Sequence, residues 1–127
     1  MLHPKNFKVN DAWLGIKVSS NDAKVQEGKV NVFVLIDVSS CYVIDQQVVL
    51  ASEGIMPPIE NVESMFMKAF AKAFKYPSKL YIPIEEAESN GFVTVANDKN
   101  IPIKYIPASD LDLIVGPIKK HINKALG

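Results

Sequence analysis

The stretch VNVFVLIDVSSCYVIDQQVVL, Val30–Leu50, contains two apolar runs joined by a short polar segment. The first run is apolar at successive positions, so both of its faces must be covered, as in a central strand of a sheet. The second run is rich in β-branched residues and begins directly after Ser39 and Ser40, which predicts an antiparallel pair. Asp37, the single carboxylate of the first run, therefore marks the end of a buried strand.

The segments around this pair predict an α/β domain. AWLGIKVS alternates large apolar residues with small or charged ones, which indicates a strand with one buried face, so the first three strands form a meander. Apolar residues at three- and four-residue spacing over 59–74 predict a helix that Pro77 ends. KLYIPI is a short strand that Pro83 restricts to a sheet edge or a strand end.

The segment 85–100, EEAESNGFVTVANDKN, has two interpretations. It predicts a helix whose small and apolar residues face inward, namely Ala87, Gly91, Val95 and Ala96. Alternatively, FVTVA is a strand that NDKN turns into IPIKYI as a hairpin. IPIKYI is a strand in both cases.

The C-terminal segment predicts an amphipathic helix. Its apolar residues follow a helical stripe over 111–126, and Ser109 with Asp112 resembles a capping box at its start. Gly116-Pro117 interrupts this stripe, so the helix is either kinked there or truly begins at Pro117.

Length and composition limit the class of protein. The 127 residues predict one domain, 12–127, after a polar lead-in, 1–11, that we expect to be flexible and loosely held. Lys plus Arg and Asp plus Glu both number 14, and every basic residue is a lysine, so the charge does not support binding to nucleic acid.

Cysteine content and hydropathy point to a cytoplasmic protein. Cys41 is the only cysteine, which excludes an intrachain disulfide and a zinc site built on paired thiolates. No apolar run approaches the length of a membrane span, and the first residues lack the apolar core of a signal peptide. We therefore expect no membrane association.

The succession of elements, carried by VNVFVLIDVSSCYVIDQQVV and YPSKLYIPI, resembles the ribonuclease H-like fold, and within it the integrase and transposase core. The resemblance implies three layers around a mixed five-stranded sheet, with an antiparallel meander first and the order βββαβαβα. It also implies two-metal phosphoryl transfer, in which carboxylates on the first strand, the fourth strand and a later helix hold two cations.

The acids expected from this resemblance are missing from two of those places. WLGIKVS, the first strand, and KLYIPI, the fourth, contain no carboxylate. We therefore expect a non-catalytic binding or assembly module without a cofactor. The alternative is a divergent metal-dependent nuclease that holds Mg²⁺ or Mn²⁺ with Asp37, Glu85 or Glu86, and Asp112, which requires these acids to converge.

A protein partner or a homo-oligomer is expected from the helix MFMKAFAKAF. This segment has more large apolar residues than one buried side of a helix needs, which indicates a second, intermolecular contact. The interface candidates are Met65, Met67, Phe70 and Phe74.

Overall fold

A computed structural model describes residues 1–20, 23–53, 56–88 and 90–126; positions 21, 22, 54, 55, 89 and 127, all within the predicted domain 12–127, lie outside the described residues. The described residues form, in chain order, β1 (Ala12–Lys17), β2 (Lys24–Val25), β3 (Gly28–Asp37), β4 (Tyr42–Leu50), α1 (Ile59–Ala73), β5 (Lys79–Pro83), α2 (Gly91–Asp98), β6 (Ile103–Ile106) and α3 (Asp112–Leu126). Short 3₁₀ turns precede β1, α2 and α3 and follow β4.

The strands form one mixed sheet with β3 near its centre. β3 pairs antiparallel with β1 and β4, and β5 and β6 continue the sheet in parallel beyond β1. The order across the sheet is therefore β4-β3-β1-β5-β6, and the two-residue β2 pairs with the first residues of β3. The predicted α/β class, the opening meander and the order βββαβαβα are confirmed, with β2 as a sixth strand that we did not predict.

β3 is covered on both faces, as its continuous apolar run predicts. Its even-numbered residues, such as Val34, belong to an apolar cluster that also contains Ile114 and Val115 of α3. Phe33 and Leu35 point to the other face, into a cluster formed with α1 and α2. Because successive side chains of a strand alternate between faces, this single strand holds the helical layers on either side of the sheet.

α1 begins after Pro58 and ends at Ala73, four residues before the expected stop at Pro77. Glu60 lies in its first turn and Lys72 in its last, which matches the helix dipole. The helix ends because Phe74 adopts a left-handed conformation with φ of 57°, while its N–H still donates to the carbonyl oxygen of Phe70 at 2.7 Å.

The segment 85–100 contains a helix, so the hairpin alternative is wrong. α2 begins at Gly91 because Asn90 caps it: its side-chain oxygen accepts a hydrogen bond from the N–H of Phe92 at 2.8 Å. Val95 and Ala96 are buried as predicted, but Ala87 lies before the helix, after the 3₁₀ turn Ile84–Glu86. Asparagine is a strong helix cap, which favours the helix over the β propensity of FVTVA.

α3 begins at Asp112, so the alternative start at Pro117 is wrong. Pro117 lies inside the helix, and the 3₁₀ turn Ala108–Leu111 directly precedes the first residue of α3. The predicted capping box is not formed at this turn, because Pro107 occupies its cap position and no side chain caps it. Ser109 lies within the turn instead.

The lead-in contacts the rest of the domain at several points. The N–H of Leu2 donates to the carbonyl oxygen of Asp110 at 2.8 Å. The ring of Phe7 packs edge-on against Tyr81 with 5.9 Å between centroids, so the lead-in covers part of the sheet. These contacts join residues far apart in the chain, and no local pattern reveals them.

Gly15 in β1 allows α2 to approach the sheet closely. A Cβ at this position would lie 2.7 Å from atoms of the Phe92 ring, closer than carbon atoms pack. We expect Gly15→Ala to lower the free energy of unfolding by about 2 kcal/mol, because overpacking a filled core forces neighbours to shift. Urea unfolding measures this loss.

A double-mutant cycle with Phe92→Leu is the control for this prediction. Because the shorter side chain relieves the clash, the combined loss should be smaller than the sum of the two single losses. Additive losses would show that the contact between Gly15 and Phe92 is not the cause.

Candidate functional site

Asp37 lies at the end of β3 and is held entirely by groups of its own chain. Its Oδ1 accepts a hydrogen bond from the N–H of Asn10 at 2.8 Å. Its Oδ2 accepts from the N–H of Ser40 at 3.1 Å and from the Ser40 hydroxyl at 2.6 Å. The carboxylate is buried, and a buried charge is costly unless it is bonded in this way. Asp37 therefore ties the lead-in to the turn between β3 and β4.

A pocket of about 330 Å³ opens beside this carboxylate. Its walls include Asp37 and Ser40 from the turn, Tyr42 and Ile44 from β4, and Lys72 from α1. The Lys72 ammonium lies 3.2 Å from the Tyr42 hydroxyl and 5.1 Å from the centre of its ring. Lys72 therefore contacts Tyr42, and no lysine of the described residues forms an ion pair with Asp37 within 4.0 Å.

Cys41 lies in the same turn and is a weak candidate for a nucleophile. Burial raises the pKa of its thiol, and the nearby charge of Asp37 raises the pKa further. The reactive species is the thiolate, so both effects suppress nucleophilic chemistry at this position.

Glu85 and Glu86 follow β5 at the opposite end of the sheet. Oε1 of Glu86 accepts a hydrogen bond from the N–H of Lys17 at 3.0 Å, at the last residue of β1. Oε1 of Glu85 accepts from the N–H of Ala108 at 3.0 Å, where the turn before α3 begins. Both carboxylates thus join segments of the backbone.

Burial raises the pKa of Glu86, and this effect outweighs three opposing ones. The hydrogen bond from the Lys17 N–H and the positive charges of Lys119 and Lys17 lower the pKa, while the charge of Glu85 raises it slightly. A raised pKa means that the folded chain binds this proton more tightly than the unfolded chain does.

The four acids of the alternative metal site do not converge. Asp37 pairs with Trp13 at the start of β1, whereas Glu86 bonds to Lys17 at its end. Four residues of extended strand separate these points by roughly 13 Å, too far for cations to be shared. Asp112 is exposed at the first residue of α3. Within the described part of the chain, no three Asp, Glu, His or Cys side chains cluster closely enough to hold a metal ion. These residues therefore do not fit a Mg²⁺ or Mn²⁺ centre.

The interface candidates on α1 separate into one buried residue and three exposed ones. Met65 is fully buried in the core against the sheet, so it cannot contribute to an intermolecular surface. Met67 and Phe74 are 69% and 81% exposed, and Phe70 is also exposed. Met65 turns inward because it lies three residues after Val62 and four before Ala69, both buried.

Asn123 of α3 is a structural residue that sequence reasoning missed. Its side-chain oxygen accepts a hydrogen bond from the N–H of Ser20 at 2.7 Å, and its amide nitrogen donates to the carbonyl oxygens of Val18 and Lys119. More than 100 residues separate it from Ser20, so no spacing in the sequence could have indicated this contact. Asn90, by contrast, could have been found as a helix cap from the motif SNGF.

Comparison with known proteins yields no family. No protein-family model matches the sequence, and no curated protein is significantly similar to it. A chain in the cryo-electron microscopy structure of a simian T-cell lymphotropic virus intasome, in complex with the PP2A regulatory subunit B56 gamma, is similar at 15% identity and a TM-score of 0.47. The match covers 87% of this chain and 39% of that one. None of the helices in the described ranges is both long and apolar enough to cross a membrane.

Replacing Asp37 tests its structural role. We expect Asp37→Ala to lower the free energy of unfolding by about 3 kcal/mol, because the N–H groups of Asn10 and Ser40 lose a charged acceptor. Asp37→Asn keeps one oxygen acceptor and should cost roughly half as much. Chemical denaturation measures both, and equal stability of all three proteins would contradict the assignment.

The pH dependence of stability tests the environment of Glu86. Its folded pKa is raised, so the stability associated with its neutral form is fully present below the unfolded pKa and is lost as the pH rises through the folded pKa. Glu86→Gln keeps an oxygen for the Lys17 N–H without a charge to desolvate. We therefore expect the variant to gain free energy of unfolding relative to the parent at pH 7 and less at pH 4, measured by urea unfolding.

Glu88→Gln is the matched control, because Glu88 is an exposed carboxylate of the same segment. Its effect on unfolding should be small and equal at both pH values. A Glu86→Gln effect that does not change with pH would refute the role of burial.

Proposed function

We propose that this chain is a non-catalytic assembly module with a ribonuclease H-like fold of the integrase and transposase type, and that it joins two copies through α1. The mixed sheet with its opening meander, the order βββαβαβα and the helical layers on both faces support the fold. The lack of acids on β1 and β5 supports the absence of metal-dependent cleavage.

The placement of the remaining acids also favours a non-catalytic role. The carboxylate of Asp37 accepts hydrogen bonds from backbone N–H groups and a hydroxyl. Glu85 and Glu86 accept hydrogen bonds from backbone N–H groups at the other end of the sheet. Carboxylates that hold the fold in this way are not free to bind and position a substrate phosphate. No described group of residues offers a substitute metal site.

The observation that carries the assembly role is an apolar stripe on the outer side of α1, made of Met67, Phe70 and Phe74. Met67 and Phe70 are three residues apart, so they share one side of the helix, and Phe74 follows directly after its last residue. The ring of Phe70 packs against Tyr76 at 4.8 Å between centroids, which holds it in place. Three large apolar side chains grouped in water are unfavourable, and such groups are typical of protein contacts.

The conformation of Phe74 strengthens this argument. A bulky residue with φ of 57° is strained, and this one presents an almost fully exposed ring. Strain of this kind persists where the surrounding structure or a binding partner stabilises the strained conformation. The apolar stripe therefore includes a side chain that the isolated fold places unfavourably.

A second copy of the chain is the partner that this surface fits. The stripe has no excess of one charge, and the whole chain has balanced charge, so it does not select a strongly charged partner. Two α1 helices packed antiparallel would bury stripe against stripe and oppose their dipoles, which is favourable. A symmetric contact of this kind closes as a dimer. We place the protein in the cytoplasm, in agreement with its lone cysteine.

Charged substitutions in the stripe test the dimer. We expect the double variant Met67→Lys and Phe74→Lys to halve the molar mass measured by sedimentation velocity, because the buried apolar contact is replaced by repelling ammonium groups. Its thermal stability should remain within about 0.5 kcal/mol of the parent, since neither side chain packs in the core. Leu113→Lys, a half-exposed position on α3, is the matched control and should leave the mass unchanged.

An unchanged mass in the double variant would exclude the stripe as the contact. A second measurement tests the non-catalytic role: titration with Mg²⁺ followed by amide chemical shifts. Shifts that cluster at Asp37 and Glu85 would favour the nuclease alternative instead.

A further inference from the structure

β4 forms a long edge of the sheet that lacks the residues which commonly block pairing with another strand. It spans nine residues, Tyr42–Leu50, and within the described residues it pairs with β3 alone. Its sequence, YVIDQQVVL, has neither lysine nor proline, the residues that commonly block edge-to-edge pairing. The opposite edge, β6, is only four residues long, carries the exposed Lys104 and lies between Pro102 and Pro107. The two edges of the sheet therefore differ in how well they are protected against pairing with a further strand.

The hydrogen bonds of β3 determine which backbone groups of β4 point outward. The N–H of Val18 donates to the carbonyl oxygen of Val32, so the even-numbered residues of β3 bond on the side of β1. In antiparallel sheets this direction alternates, so the odd-numbered residues of β3 bond to their partners in β4. Those partners are Asp45, Gln47 and Val49. The N–H and C=O groups of Gln46, Val48 and Leu50 must then point away from the sheet.

The same three residues also expose their side chains. They lie opposite Val34, Val32 and Val30, on the face away from α1, and Val48 is 52% exposed. The other face of β4 is occupied by α1: Asn61 donates to Gln47 at 2.9 Å, and Lys68 forms an ion pair with Asp45 at 3.4 Å. These contacts hold β4 in place and leave its outer edge ready for a further strand.

We propose that β4 pairs antiparallel with β4 of a second copy, about a two-fold axis at Val48. In this register Val48 lies opposite its counterpart, and Gln46 of each copy lies opposite Leu50 of the other. All the outward N–H and C=O groups of these residues then find partners, and two valines meet on one face.

The charge of the strand agrees with this register. Asp45 is the only charged residue of β4, and a two-fold axis at Val48 places it opposite Ala51 of the second copy. An axis at Asp45 would instead oppose two carboxylates, which is unfavourable. The axis at Val48 is therefore favoured over the axis at Asp45.

This contact is separate from the stripe on α1 and does not depend on the proposed function. The stripe lies on the outer side of a helix, whereas the edge is made of backbone groups of the sheet. Two different symmetric contacts on one chain would build assemblies larger than a dimer.

Hydrogen exchange tests the direction of the backbone groups. At high protein concentration we expect the amide protons of Gln46, Val48 and Leu50 to exchange roughly tenfold more slowly than at high dilution, because pairing follows mass action. The amide protons of Gln47 and Val49 bond to β3 and should be protected at both concentrations. Equal and rapid exchange at residues 46, 48 and 50 under both conditions would overturn the proposal.

Val48→Pro tests the contact by mass, since proline removes the outward N–H and is tolerated on an edge strand. In the background of Met67→Lys and Phe74→Lys, the parent should be a β4-linked dimer and the added Val48→Pro should give a monomer by sedimentation velocity. Val48→Lys, which keeps the backbone N–H, should also weaken the dimer and covers the case in which proline prevents folding. Tyr105→Lys on the protected edge β6 is the matched control and should leave the mass unchanged.

The outcomes separate the two proposals. If both Val48 variants fold and leave the mass of their background unchanged, the β4 contact is refuted whatever the stripe does. If the stripe variants alone have no effect while Val48→Pro lowers the mass, the α1 contact fails and the β4 contact stands.

Discussion

β3 is buried on both faces, and this burial fixes the positions of the helices and of the neighbouring strands. Its residues from Val30 onward are buried, and they alternate between two apolar clusters. A strand of this composition is stable only if a layer covers each face, so the chain must supply α3 on one side and α1 with α2 on the other. The antiparallel neighbours β1 and β4 and the parallel strands beyond β1 follow from placing β3 inside the sheet.

The same strand explains why its terminal acid serves the fold. β3 ends at Asp37 inside the protein, where an ionised carboxylate needs several donors. Its donors include the N–H of Ser40 in the turn and the N–H of Asn10 in the lead-in. The carboxylate therefore connects these two segments. The acids that follow β5 emerge at the other end of β1, because β3 runs against β1 and β5 runs with it. Strand direction therefore separates carboxylates that a catalytic centre would need to bring together.

Both proposed contact surfaces result from how α1 lies on β4. The helix directs polar side chains such as Asn61 and Lys68 toward β4 and its buried side toward the core. Met67 on its remaining side and Phe74, just after its last residue, are left in water. β4 in turn is covered by α1 on one face only and has no strand beyond it among the described residues. The arrangement satisfies the core of one chain and leaves two surfaces that a second copy can complete.

Local patterns in the sequence predict the central strand, the amphipathic helices α1 and α3, and the absence of carboxylates from β1 and β5. The sequence left 85–100 open, because the β propensity of FVTVA competes with a helix that depends on one cap, Asn90. Long-range contacts and strand directions instead fix the lead-in's contacts with the domain and place Asp37 and Glu86 at opposite ends of β1. The physical reason is range: periodicity reports which face of an element is apolar, whereas strand direction and contacts such as Ser20 with Asn123 depend on residues far apart in the chain.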